Sequence, residues 1–180
     1  MACNNVIQKS LEWCQGTPVY PGIKRRVYYI SKQYIVGWPT LKTTAGDRAE
    51  YEGDFTLAAD AVWKYIDVIP EKCTVTSEAQ GEIPSQTQLN KLSIVHPGTG
   101  KDASDIAFSL NNSDNVFLVE DMNGKYRVIG SERWNTTTTV AQDLGQGATG
   151  SASTTINAEA TDVCPAPFYS GEITTEAGQL

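Results

Sequence analysis

The sequence contains few of the residues from which metal and redox sites are built. It has four cysteines and one histidine in 180 residues, and no two cysteines have the Cys-x-x-Cys spacing of a zinc site. Cys3 and Cys14 could pair if oxidised, whereas reduced thiols are expected in a cytoplasm. His96 is the single histidine, which excludes a site with several imidazole ligands. The sequence therefore predicts no metal and no cofactor.

Long apolar runs and an excess of basic residues are also lacking. No apolar run approaches the roughly 18 residues that a membrane-spanning helix requires, so no membrane partner is predicted. The first residues contain no apolar signal-peptide segment, and we expect a protein made and kept in a cytoplasm. Lys and Arg number 14 against 21 Asp and Glu, giving a net charge of −7. This composition argues against a protein that grips phosphates.

Two glycine-rich segments resemble nucleotide-binding motifs but are incomplete. Residues 145–150 have the Gly-x-Gly-x-x-Gly spacing, yet no buried strand precedes them and no helix follows. Residues 97–101 resemble the end of a phosphate-binding loop, but Asp102 stands where the motif requires Ser or Thr. No other residues form a catalytic pattern, and the chain is not predicted to be an enzyme.

The strongest local signal is a hairpin around Asn123-Gly124. Apolar runs at residues 116–119 and 126–129 flank this pair, and a type I′ turn with positive φ at both central residues is expected. The first run is apolar on both faces, which predicts a strand covered on both sides. Residues 102–110, just upstream, carry an apolar stripe at i, i+3, i+4 and i+7, which predicts a short helix.

The remaining pattern predicts a mainly β fold, an antiparallel β-sandwich or partial barrel with one short flanking helix. Further strands are predicted at residues 22–35, 51–57, 61–69, 73–80, 88–95, 132–140 and 153–160. The length favours one domain. We divide the chain into an N-terminal arm (residues 1–21), a β domain (22–171) and a flexible C-terminal tail (172–180).

Six residues are candidates for contacts between subunits. Leu11 and Trp13 are apolar residues in a polar arm, which either docks on a neighbour or folds back on its own domain. Trp134 lies in a predicted strand rich in threonine, a composition that favours an exposed edge. The remaining three form the only basic cluster, and they are either ordinary strand charges or partners for acidic residues of a neighbouring subunit. They are Lys24, Arg25 and Arg26.

Several segments together resemble the tail tube proteins of tailed bacteriophages and prophages. The longest is Val-Phe-Leu-Val-Glu-Asp-Met-Asn-Gly-Lys-Tyr-Arg-Val-Ile-Gly-Ser at residues 116–131. The others are Pro-Gly-Ile-Lys-Arg-Arg-Val-Tyr at 21–28, Gly-Glu at 81–82, Ser-Ile-Val-His-Pro-Gly at 93–98 and Pro-Ala-Pro-Phe-Tyr at 165–169. The similarity runs in patches from residue 21 to residue 169. None of the patches is a catalytic signature.

This resemblance implies a virion structural protein whose subunits form hexameric rings that stack into a tube. Sheets of neighbouring subunits join edge to edge in such tubes, and DNA passes through the lumen without specific binding. The implied partners are other copies of the chain and other tail proteins, with assembly in the host cytoplasm. The acidic charge suits a DNA conduit, because it repels phosphates.

Two alternatives stay open. Another phage structural role, as a neck, tail terminator or decoration protein, fits the same resemblance. A soluble β-sandwich that binds a ligand such as a carbohydrate is the second, with four tryptophans as a possible stacking platform. Packing in the core or in interfaces is the favoured role for these side chains. They are Trp13, Trp38, Trp63 and Trp134.

Overall fold

A computed structural model describes residues 8–176 of the chain and shows a mainly β protein. In chain order the strands are β1 Ile23–Ser31, β2 Ile35–Gly37, β3 Thr40–Leu41, β4 Tyr51–Glu52, β5 Thr56–Leu57, β6 Lys64–Asp67, β7 Thr74–Gln80, β8 Thr87–Pro97, β9 Asn115–Asp121, β10 Tyr126–Ile129, β11 Thr137–Asp143, β12 Ser153–Asp162 and β13 Phe168–Tyr169. One α-helix, α1, spans Lys101–Leu110. The predicted fold class is confirmed.

Two antiparallel sheets pack face to face, and neither closes into a barrel. The five-stranded sheet has the order β13-β10-β9-β1-β6, and the four-stranded sheet has the order β11-β12-β8-β7. Between them lies a core to which Val27 and Phe117 contribute from the first sheet and Leu92 and Ile156 from the second. In the four-stranded sheet, β12 alternates inward Ile156, Ala158 and Ala160 with outward polar residues, as expected where one sheet face meets water.

A third layer covers the other face of the five-stranded sheet. Val116 and Leu118 of β9 point into a second core, which includes the aromatic residues Phe55, Trp63 and Tyr169 from the short strands and loops. Phe55 lies at the centre, with ring centroids 5.5 Å from Trp63 and 5.0 Å from Tyr169. β9 is therefore covered on both sides, which confirms the prediction from its continuous apolar run.

Helix α1 closes the sandwich beside β11. Ala103 and Leu110 are its buried residues, because the predicted apolar stripe faces the core. The Ser104 hydroxyl donates to Oε1 of Gln142 on β11 over 3.2 Å. None of the helices in residues 8–176 is long and apolar enough to cross a membrane.

The hairpin joins β9 and β10 as predicted, but its turn is not type I′. Gly124 has φ +80°. Asn123 does not have positive φ, since Asp60 is the one residue other than glycine with positive φ among residues 8–176. The Gly124 N–H donates to the carbonyl of Asp121, and the Asp121 carboxylate accepts from the N–H groups of Asn123 and Lys125. This is a type I turn followed by a left-handed glycine. The aspartate that precedes the turn holds the loop in this form.

Four predicted strands have clearly different limits in the structure, and the one predicted at 61–69 is shortened to Lys64–Asp67. The strand predicted at 22–35 ends at Ser31, and a 3₁₀ turn separates it from β2. The strand predicted at 51–57 is divided, because Gly53 adopts φ +92° between β4 and β5. The strand predicted at 132–140 begins only at Thr137, so Trp134 lies in the preceding turn.

The chain segments on either side of the β domain differ in their contacts. In the arm, residues 8–14 form no helix or strand. At the other end, the carbonyl of Thr174 accepts from the N–H of Trp63, and Glu176 forms an ion pair with Lys64. Cys73 and Cys164 are free thiols. Cys3, the proposed partner of Cys14, and residues 177–180 of the tail lie outside the described residues.

Candidate assembly surface

Each edge of the five-stranded sheet is a short strand with one backbone bridge to another segment of the chain. At one edge, Glu50 forms a parallel bridge with Phe168 of β13. At the other, Trp63 next to β6 forms a parallel bridge with Thr175. Short added segments of this kind occupy backbone groups that would otherwise be open to another chain.

The four-stranded sheet is different, because β7 ends it without a cover. This strand has seven residues in continuous register with β8, from Thr74 opposite Ser93 to Gln80 opposite Thr87. It has no proline and no bulge, and its one charged residue, Glu78, pairs with Lys91. Folded monomers protect such edges with the devices that β7 lacks. The β7 edge is therefore competent to pair with another strand.

The opposite edge, β11, is partly capped. It also has seven residues in continuous register, from Thr137 opposite Glu159 to Asp143 opposite Ser153. Asn111, at the end of α1, accepts a 2.8 Å hydrogen bond from the N–H of Val140 through its side chain. The strand predicted at 132–140 is thus an edge, as expected, but β1 is not an edge. β1, which forms most of the strand predicted at 22–35, lies between β9 and β6 inside its sheet.

The outer face of the four-stranded sheet is mostly polar, with Leu89 and Val95 of β8 as apolar exceptions, and no layer within residues 8–176 covers it. We define this outer face as the side chains that point away from the sandwich core. Its hydroxyl and amide residues include Thr74 and Thr76 of β7, Ser93 of β8, Thr137 and Thr139 of β11, and Asn157 of β12. A face of this kind either meets bulk water or lines an aqueous channel.

The one cation on this outer face is neutralised. Lys91 is the single Lys or Arg in the four strands, and its Nζ lies 2.5 Å from Oε1 of Glu78. Its cross-strand neighbour on the other side is Glu159. The hydrogen bond to Glu78 raises the pKa of Lys91. With Asp143 included, three carboxylates face outward against one ammonium group, so the surface repels anions.

A groove lies beside the β7 edge, between the two sheets. Its volume is about 590 Å³. Thr74 and Val75 of β7 form one wall, and Val119 of β9 contributes to the other. Val19 and Tyr20 of the arm lie at its rim. Because α1 closes the sandwich beside β11, this groove makes the two sides of the molecule unlike each other.

The basic cluster surrounds a shallow hollow and is partly satisfied within the chain. Lys24 Nζ lies 2.5 Å from Oε1 of Glu120, and Arg26 Nε lies 2.9 Å from Oδ1 of Asp67. The hydrogen bond from Arg26 lowers the pKa of Asp67. Arg25 is exposed and forms no ion pair with any residue from 8 to 176. A bulge between Ile23 and Val27 leaves all three basic residues exposed.

The other candidate contact residues are in different places. Leu11 is fully exposed and Trp13 is 70% exposed, so neither is covered by any other part of residues 8–176. Trp134 is half-buried, and its carbonyl accepts a 3.1 Å hydrogen bond from Lys32. It lies in the turn before β11, away from the basic cluster in the fold.

The four tryptophans do not form a common platform. Trp63 is completely buried in the second core, and Trp38 packs edge-on against Phe55 with centroids 5.2 Å apart. Trp13 belongs to the arm and Trp134 to the turn before β11. Within the part of the chain that the structure describes, no three His, Cys, Asp or Glu side chains come together as a metal site.

No family model, curated protein or solved structure matches the chain. The geometry of the sheets and their edges therefore carries the functional argument. Two features of this geometry could not be predicted from the sequence. The groove beside β7 and the cap on β11 join residues far apart in the chain, so a local pattern does not reveal them.

Proposed function

We propose that the chain is a tail tube subunit of a bacteriophage or prophage, which assembles into stacked rings around a channel for DNA. The observation that carries this proposal is the uncovered four-stranded sheet. The edges of the neighbouring sheet are short strands, each with one bridge to another segment of the chain, whereas the seven-residue β7 edge is open and β11 has one side-chain cap. The proposed location is the tail of the virion.

Strand direction supports a closed ring. Successive strands in the order β11-β12-β8-β7 are antiparallel, so β7 and β11 run in opposite directions. Rotation about the channel axis leaves the direction of each strand along that axis unchanged. β7 of one subunit would then meet β11 of the next in antiparallel pairing. The contact is heterologous, because two different surfaces meet, and such contacts form rings when the rotation closes.

The dimensions and charge of the outer face also support this proposal. A ring of six such sheets would be roughly 50 Å across between backbones, from a strand spacing of about 4.8 Å and a tilt of about 40°. The outer faces would line the channel with hydroxyl, amide and carboxylate groups. Because Lys91 is paired with Glu78, phosphates would find no free cation there.

The test is assembly of the full chain over a wide concentration range, followed by light scattering and negative-stain microscopy. We expect rings or tubes at high protein concentration. Strictly monomeric behaviour at every concentration would contradict the proposal. Rings that never stack would instead favour a tail terminator or neck protein.

A pair of variants tests the use of the β7 edge. Thr74→Lys and Ala79→Lys together place two lysines on an exposed edge strand, a device by which monomeric proteins prevent strand addition. We expect this double variant to fold but not to form rings. Asn157→Lys is the matched control, because it adds a lysine to the same sheet on a central strand. Equal assembly of the double variant and wild type would exclude the β7 edge.

A further inference from the structure

We propose that helix α1 of one subunit docks beside β7 of the next, with Phe108 inserted into the groove between the sheets. This inference rests on the proposed ring assembly and names the contact that would hold it together. The occupant is a second copy of this chain.

Phe108, which we call the knob, is an exposed aromatic residue on the edge of the sandwich. Ser104, Phe108 and Asn111 have i, i+4 and i+7 spacing and so share one stripe of the helix. Both ends of the stripe contact β11, through Gln142 and the N–H of Val140. Phe108 lies between these contacts, yet its side chain is 77% exposed. It therefore projects beside the β11 edge without a covering partner among residues 8–176.

The groove beside β7 provides a complementary site on the opposite side of the same sheet. Its lining combines the apolar side chains of Val75, Val119 and Pro165 with polar residues of β7 and with Asp121 and Arg127. Its volume of about 590 Å³ accommodates an aromatic side chain. A docked phenylalanine buries roughly 150–250 Å². The strand edge next to the groove would supply more of the roughly 800 Å² that each partner contributes to a stable interface.

Charge distribution favours the same orientation. On the helix, Asp102 and Asp105 are exposed and outnumber Lys101. Beside the groove, exposed Lys72 precedes Cys73 in the groove lining, and its neighbour Glu71 balances one positive charge. Arg25, which lines the adjoining hollow with Pro70, adds a second positive charge. The other charged residues of the groove and hollow cancel, because they form the ion pairs Arg127–Asp121, Lys24–Glu120 and Arg26–Asp67. The helix side is thus net −1 and the groove side net +1, so a knob-to-groove contact is attractive.

The experiment uses one knob variant and one groove variant of the full chain. Phe108→Asp removes the knob, and Val19→Asp with Tyr20→Asp alters the rim of the groove; all three side chains are exposed, so the fold should be retained. Val36→Asp, at a residue that is 70% exposed on β2, is the matched control. We expect the knob and groove variants each to weaken association at least about 30-fold, as for interface hot spots, and the control to assemble like wild type.

Mixing the two defective variants separates this contact from a symmetric one. In the mixture, the knob variant supplies an intact groove and the groove variant supplies an intact knob. We therefore expect a 1:1 heterodimer in analytical ultracentrifugation but no rings. A mixture that stays monomeric would overturn the inference. Normal assembly of Phe108→Asp would also overturn it while leaving the proposed tube function standing. A wild-type chain that never assembles would contradict the proposed function itself.

A charge reversal provides an independent readout. Asp102→Lys with Asp105→Lys should abolish assembly, and adding Arg25→Glu with Lys72→Glu in the same chain should restore it. If the arm of a neighbour occupies the groove instead, deletion of residues 1–17 will abolish assembly while Phe108→Asp assembles normally. That result would replace the helix with the arm as the occupant and overturn the inference.

Discussion

The side chain of Asn111 accepts a 2.8 Å hydrogen bond from the backbone N–H of Val140. This bond connects the end of α1 to the edge strand β11, and it satisfies a backbone donor that faces away from β12. The helix and the strand edge are thereby held together as one surface. β7, at the other end of the sheet, has no such cap.

Removing this cap should weaken the fold by a small amount. Asn111→Ala leaves the Val140 N–H without its partner, and we expect a loss of about 0.5–1.5 kcal/mol in the free energy of unfolding. Chemical denaturation of the two proteins measures it. Asn112→Ala is the matched control, since Asn112 is exposed and next in the chain. An equal effect of both substitutions would contradict this role of Asn111.

The hairpin turn predicts unequal tolerance at two adjacent positions. Gly124→Val places a β-branched residue at positive φ and should cost on the order of 1–3 kcal/mol. Asn123→Val should be far less costly, because Asn123 does not have positive φ. Thermal melts of both variants compare them. A type I′ turn would make both substitutions costly, so similar large losses would contradict the observed turn.

Replacing Asp162 with asparagine should increase the stability of the fold by an amount that depends on pH. Asp162 is buried at the end of β12, and burial raises its pKa to about 6, against about 3.9 in an unfolded chain. A raised carboxyl pKa means that the folded state binds more protons between these values. The contribution of this group to stability therefore falls as pH rises from about 4 to about 6.

Asp162→Asn should accordingly raise the stability by about 1–3 kcal/mol at pH 7, and the gain should disappear near pH 4. Melting temperatures across this range test it. Asp143→Asn is the control, because Asp143 is exposed but its carboxylate likewise accepts a hydrogen bond from a nearby backbone N–H. A gain for Asp162→Asn that is independent of pH would exclude the burial of charge as its cause.

The outer face predicts how assembled rings respond to DNA. Wild-type assemblies should not retain DNA, because Lys91 is paired and the other charges on this face are carboxylates. Asn157→Lys with Glu159→Lys should create retention that weakens as salt is raised. Glu52→Lys with Val36→Lys, at two exposed residues outside the four-stranded sheet, adds the same three positive charges and controls for total charge. Equal retention by both variants would show that the outer face does not line the channel.

The arm should matter for assembly and not for folding. Leu11 and Trp13 are exposed in the folded chain, and leaving them in water is unfavourable. Deleting residues 1–17 should preserve the melting transition and weaken ring formation. Hydrogen exchange near Trp13 should be fast in dilute monomer and slow in the assembly. Strong protection in the monomer would mean that the arm packs on its own domain.

The sequence alone determined the elements in which the local pattern is unambiguous. The apolar stripe fixed α1 to within one residue, and the run at 116–119 required a strand covered on both faces. The hairpin was also predictable from Asn123-Gly124. Its turn type was not, because it depends on hydrogen bonds to the Asp121 side chain, which the Asn-Gly preference does not take into account. Periodicity reports burial of a face, and this is why these features could be predicted.

Tertiary structure decided which edges are open. β1 is rich in exposed charge, yet it lies inside a sheet, because strand order follows from long-range pairing with β6 and β9. Phe108 and the groove beside β7 became a candidate pair only when the fold placed them on opposite sides of one sheet. Strand pairing and the exposure of Phe108 depend on residues that are distant in the chain. A local sequence pattern therefore does not predict them.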